Sequence, residues 1–147
     1  MEYKEIKGDL IQLSKENNFD LIAHGCNCFC TMNSGIAKLI KDEFPVVYSI
    51  DCQTIRGDIN KLGTFSKWIG ENFEIYNLYT QYRYGIDKVY LDYDALTLCL
   101  RKLNYLNRGK RIGLCKIGCG LAKGDWNIVK SIIQRELRDM NVTIVIL

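Results

Sequence analysis

No stretch of this 147-residue chain stays apolar over anything near the ~20 residues that a membrane-spanning helix needs, so no membrane association is expected. Net charge is also scarce: 20 Lys and Arg stand against 17 Asp and Glu, a formal +3 at pH 7. Such an excess suits a small phosphorylated ligand better than a duplex, and a nucleic-acid partner is not expected. Proline occurs once, at Pro45, and there is no repeat, linker or low-complexity tract, so residues 1–147 read as a single domain. Two nucleotide fingerprints are missing as well. No G-x-x-x-x-G-K-[ST] occurs, and Gly118-Cys119-Gly120 is followed by a glycine at 124 instead of at the G-x-G-x-x-G spacing.

What remains is an ordinary soluble composition, 48% apolar and 25% charged, in a chain long enough to bury a core without disulfides. Seven cysteines without a secretory leader point to reduced thiols, hence to a cytoplasmic protein, and a monomer is expected.

Strand and helix patterns interleave. Tyr3 to Ile6 alternates, and Asp9 with Gln12 fits a capping box ahead of a short helix. Asp20 to Ala23 is a short apolar strand. Ser34 is a candidate N-cap for a helix to Phe44, and Pro45 either stops that helix or opens a second segment, Val46 to Gln53. Arg56 to Gly63 is turn chemistry; Thr64 to Ile69 and Phe73 to Tyr79 read as neighbouring strands. An amphipathic helix spans Leu91 to Leu106, a strand Arg111 to Ile117, a helix the residues from Trp126 to Leu137, and a last strand Val142 to Leu147. The fold class expected is α/β, a three-layer α/β/α sandwich.

Two segments share one design, a strand, a turn of small residues and a helix: Asn33 to Lys38 and Ile117 to Asp125. Glycines let a backbone approach a ligand, and the free N–H groups of a helix start attract anions. Two such loops side by side suit a diphosphate, although tight turns alone account for either one.

His24, the only histidine, ends the apolar run and is a candidate acid, nucleophile or ligand as well as an ordinary polar residue. Asp125 reads as a helix N-cap or as a base that activates water, and Asp9 as a cap or an acceptor for a ligand amine. His24, Cys26, Cys28 and Cys30 alternate, which in an extended chain puts them on one face. Their spacing is not that of common zinc sites and no second ligand pair follows, so no metal is expected. Cys119, in a glycine turn before a helix, is a candidate low-pKa nucleophile.

Taken in order, Gly8-Asp9-Leu10, Ile22-Ala23-His24-Gly25-Cys26-Asn27, Gly35-Ile36-Ala37, Leu62-Gly63, Tyr76-Asn77-Leu78-Tyr79-Thr80-Gln81 and Ile117-Gly118-Cys119-Gly120-Leu121 resemble a macro domain over essentially the whole chain. The likeness is to the small branch of ADP-ribose 1″-phosphate phosphatases and ADP-ribosyl-ester hydrolases, which also occurs in phages. It implies a mixed sheet of about six strands with ADP-ribose in a cleft at the strand ends, and no cofactor. It further implies Asp9 on the adenine amino group, with Gly8 and Leu10 beside it. Gly35, Ile36 and Ala37, preceded by Ser34, would form one diphosphate loop, and Ile117, Gly118, Cys119, Gly120, Leu121 and Ala122 the other. Asn27 would hold the distal ribose, Thr80 and Gln81 would line the cleft, and His24 and Asp125 match catalytic positions. The activity implied is removal of the terminal phosphate of ADP-ribose 1″-phosphate, with ADP-ribosyl hydrolysis and non-catalytic binding of ADP-ribose as alternatives. Members that work through a covalent lysine carry it just past the strand matching Ile75 to Tyr79. Here Thr80-Gln81-Tyr82 stands there, and Lys67 and Lys88 are elsewhere, which argues against a lysyl intermediate.

Overall fold

The computed structural model describes residues 2–147. The elements are β1 Tyr3–Lys7, α1 Leu10–Lys15, β2 Leu21–Cys26, α2 Gly35–Glu43, α3 Pro45–Cys52, a 3₁₀ turn Ile59–Lys61, β3 Phe65–Ile69, β4 Glu74–Tyr79, α4 Tyr93–Leu106, β5 Arg111–Leu114, α5 Trp126–Glu136 and β6 Asn141–Ile146. One six-stranded sheet has the order β1-β6-β5-β2-β4-β3, parallel throughout except for β3, which returns antiparallel along β4.

Alternation along the central strands feeds two cores. Leu21 and Ala23 of β2 pack with Tyr76, Leu78, Ile112, Leu114 and Ile144 against α4 and α5. Ile22 and Ile75 face the other way, toward Leu10, Ile40 and Val47 of α1, α2 and α3. A strand buried on both faces has no polar side to show, which is why β2 reads as a plain apolar run. The result is the mixed three-layer α/β/α sandwich expected.

Because five strands run parallel, their C-terminal ends lie along one edge of the sheet. The turns at Gly8-Asp9, Asn27, Thr80 and Cys115 all leave from that edge. The helix starts obey local chemistry. Pro45 stands at the first position of α3, where no N–H is required. Asp9, Asp92 and Asp125 cap α1, α4 and α5 through side-chain oxygens. The capping box is only half made, since the Gln12 amide donates to Glu16 at 3.4 Å instead of reaching back to Asp9.

Candidate functional site

α2 opens without a side-chain cap: Ser34 occupies the N-cap position but its hydroxyl makes no capping bond. The first intrahelical bond is from the Lys38 N–H to the Ser34 carbonyl at 3.2 Å, so the N–H groups of Gly35, Ile36 and Ala37 have no acceptor among the described residues. The chain enters this helix through Gly35 at φ +57, with open space around its Cα. A left-handed conformation at the first helical position suits glycine, which has no Cβ to strain it.

The second loop ends in the same condition. β5 stops at Leu114, three residues short of Ile117, because the Ile117 N–H turns back to the Cys115 carbonyl at 2.8 Å. Cys119, Lys123 and Gly124 spend their N–H groups inside the loop, on the carbonyls of Lys116, Gly120 and Gly118. The N–H groups of Gly118, Gly120, Leu121 and Ala122 have no acceptor among the described residues. β2 and β5 are neighbours in the sheet, so the two amide-rich loops leave adjacent strand ends. The side chains of Ile117 and Ala122 belong to the core beneath the second loop, as that of Leu10 does beneath the first turn, and each can offer only backbone upward.

Gly118 is held at φ +72, and a Cβ there would stand 2.7 Å from both Leu91 methyl carbons. Gly118→Ala is therefore expected to cost about 2 kcal/mol from left-handed strain and overpacking. Urea denaturation reads this directly, and an unchanged midpoint would mean that the loop has room to move.

His24 is not at the end of its strand. β2 continues to Cys26, paired with β4 as far as Tyr79, and His24 lies opposite Asn77. Its side chain is fully buried. Asn77 donates its amide N–H groups to Ser66 Oγ at 3.1 Å and to the Val47 carbonyl at 3.3 Å. The 2.6 Å contact between His24 Nε2 and Asn77 Oδ1 is thus a bond donated by the ring, which fixes the Nε2–H tautomer through the network. Burial pulls the imidazole pKa down to about 4, with the Asn77 bond opposing. The ring, expected at a strand end, is neutral and enclosed on the α3 face of the sheet.

The Asn27 side chain is also largely spent on its neighbours. Its amide donates to Thr31 Oγ1 at 2.7 Å and accepts from the Phe29 N–H at 2.8 Å, organising its own turn. Thr80 is buried, with its hydroxyl unpartnered, and Gln81 donates to the Arg83 carbonyl at 2.9 Å. Cys119 does not become a better nucleophile: burial raises its thiol pKa. The alternation does not run through to Cys30: Cys26 and Cys28 pack together with Tyr79, the strand ends at Cys26, and Cys30 turns at φ +57.

Two carboxylates remain available at this edge. Asp9 accepts the Gln12 N–H at 3.1 Å and Asp125 the Asn127 N–H at 2.9 Å, each through one oxygen. The second oxygen of each has no hydrogen-bond partner among the described residues, and both residues are exposed. The N–H of Asp125 donates to Tyr93 Oη at 2.9 Å, fixing the carboxylate at the junction of the second loop and α5.

The composition gave no sign of a buried polar group behind this edge. Asp51 of α3 is fully buried, accepting from Tyr79 Oη at 2.8 Å, and Lys61 is 8% exposed. Asp51 shares a helical face with the core residue Val47, four positions earlier, and a carboxylate on an apolar face is a legible signal. Lys61 offers none, since it sits in a run of turn residues.

No family profile matches the chain. It is 36% identical, over 99% of its length and 96% of the relative, to an uncharacterized 17.5 kDa protein in the tk–vs intergenic region of Enterobacteria phage T4. It is 27% identical to the human ADP-ribose glycohydrolase OARD1, over 95% of this chain and 88% of that one. The macrodomain of Thermus aquaticus DarG superimposes with a TM-score of 0.76 at 18% identity, covering 99% of this chain and 98% of that one. The chain belongs to one family with the T4 protein, and its six-stranded mixed sheet has the macrodomain fold.

Proposed function

We propose that the cleft at the parallel strand ends binds ADP-ribose and that the protein is a hydrolase releasing ADP-ribose from a derivative substituted at C1″ of the distal ribose. ADP-ribose 1″-phosphate is the first such substrate. The observation that carries this is the pair of adjacent backbone cradles, three unpaired N–H groups at the start of α2 and four in the loop after β5. A diphosphate bridging them finds donors from two sides and the positive end of the α2 dipole, and needs no metal or lysine to be held. Asp9 takes the adenine amino group with its free oxygen. Binding energy gathered at adenine and diphosphate fixes the distal ribose beside Asp125, which orients and deprotonates the attacking water. His24, enclosed, supports the floor of the cleft and takes no part in proton transfer.

A second reading, hydrolysis of ADP-ribosyl adducts on macromolecules without a lysine intermediate, is favoured by the full-length likeness to a human ADP-ribose glycohydrolase and by the loss of His24 as a phosphatase acid. Parallel incubation with ADP-ribose 1″-phosphate and with an automodified ADP-ribosylated protein separates the two. Inorganic phosphate from the first is the expected result. Release of ADP-ribose from the second alone transfers the assignment to the adduct hydrolase. Binding without product from either leaves a reader of ADP-ribose.

A further inference from the structure

The turn that carries the chain from β2 toward α2 is braced from behind by a buried cation. Lys61 Nζ donates to the Cys28 carbonyl at 3.1 Å and lies 3.8 Å from Cys30 Sγ. Its ammonium also stands 4.8 Å from the centroid of the Tyr79 ring, a cation–π contact in a place largely closed to water. Tyr79 Oη donates onward to Asp51 Oδ1 at 2.8 Å, and the other Asp51 oxygen has no hydrogen-bond partner. The Cys28 carbonyl takes a second bond, from the Gly57 N–H at 2.7 Å, while the Cys30 carbonyl accepts from Tyr48 Oη at 3.1 Å. A buried ammonium is costly unless paired, and this one spends its bond on a turn carbonyl and reaches the Asp51 carboxylate by way of the Tyr79 ring.

We propose that Lys61, with Asp51 as its counter-charge, is a positioning residue that holds the Asn27-to-Thr31 turn and thereby fixes the direction in which the Gly35–Ala37 amides face the ligand. The ligand part of this rests on the function proposed above. Lys61 touches no substrate and acts through the Cys28 carbonyl.

Hydrogen-exchange mass spectrometry on Lys61→Met, with isothermal titration of ADP-ribose, tests it. Exchange at the Cys28 and Phe29 amides, bonded to the Tyr82 carbonyl and to Asn27 Oδ1, should rise about tenfold or more, α4 should stay at the wild-type rate, and ADP-ribose affinity should fall about tenfold, the scale of one charged hydrogen bond. Removing one partner of a buried pair can unfold a protein, so the Asp51→Asn, Lys61→Met double variant repeats the measurement without an unpaired charge. Exchange that rises evenly over the chain, exchange unchanged at Cys28 and Phe29, local loosening at wild-type affinity, or failure of both variants to melt cooperatively would each overturn the proposal. A wild-type protein that does not bind ADP-ribose would overturn the proposed function instead, while the exchange pattern still reports on the brace.

Discussion

Asp125→Asn is expected to lower turnover by about a hundredfold or more while leaving ADP-ribose affinity and the melting temperature close to wild type. Two duties meet at this residue, and the substitution divides them. Asparagine is as good an N-cap as aspartate, so the bond to the Asn127 N–H at 2.9 Å, and with it the start of α5, survives. The backbone bond to Tyr93 Oη is untouched. What is lost is the negative oxygen that makes no intramolecular bond, the one placed to take a proton from water. Steady-state kinetics with the preferred substrate, set beside calorimetric titration of ADP-ribose, reads the split. Wild-type turnover in the variant would leave Asp125 as a cap and nothing more. Loss of binding together with turnover would mean that the loop itself had moved.

The second large effect concerns pH. His24 has a folded pKa of about 4 against 6.5 for the free side chain, so between those values the unfolded chain binds a proton that the folded chain refuses. Stability contributed by the neutral ring is complete above pH 6.5 and drains away as pH falls toward 4. It amounts to about 3 kcal/mol, more than a hundredfold in the folding equilibrium. Asp51 works in the opposite sense, because burial raises its pKa and the folded state welcomes its proton. The His24 share is isolated by comparing wild type with His24→Gln, which keeps a donor for Asn77 but does not titrate. Urea unfolding at pH 7.5 and 4.5 should show the acid loss in wild type and a much smaller one in the variant. Equal losses would mean that the ring is hydrated in the folded state. His24→Gln should also retain most of its turnover, an outcome at odds with any direct part in the chemistry.

Helices, strands and their order were readable because each buries one face or both, and burial leaves a period in the sequence. Caps at Asp9 and Asp125 were readable because capping is a local bond. The burial of His24 was not. A histidine followed by Gly25 looks like the end of a strand, and only a partner 53 residues away, Asn77 on β4, lets an imidazole remain inside one. The bonds of Asn27 to its own turn were not legible either, because an asparagine after a strand carries the same local signature whether its amide serves a ligand or the turn. The positions of the two amide-rich loops were legible from glycine spacing. Which amides stay unpaired was not, since that depends on which loop carbonyls turn inward. Lys61 could not be read at all, because a lysine among turn residues carries the same local signature whether it is solvated or enclosed.

The place of β6 in the sheet bears on how the protein is made. This last strand lies between β1 and β5, and the Gly8 N–H, at the turn beside Asp9, is tied to the Ile146 carbonyl at 2.9 Å. Until residues 141–146 have left the ribosome, β1 has no partner and the turn expected to receive adenine has nothing to rest on. The α2 and α5 cradles belong to strands already able to pair, β2 with β4 and β5. The strands that carry the two amide-rich loops can therefore pair before the strand that supports the Gly8-Asp9 turn is complete. Pairings that join Tyr3 to Val142 close a loop of nearly the whole chain, and non-local closure of this kind slows folding.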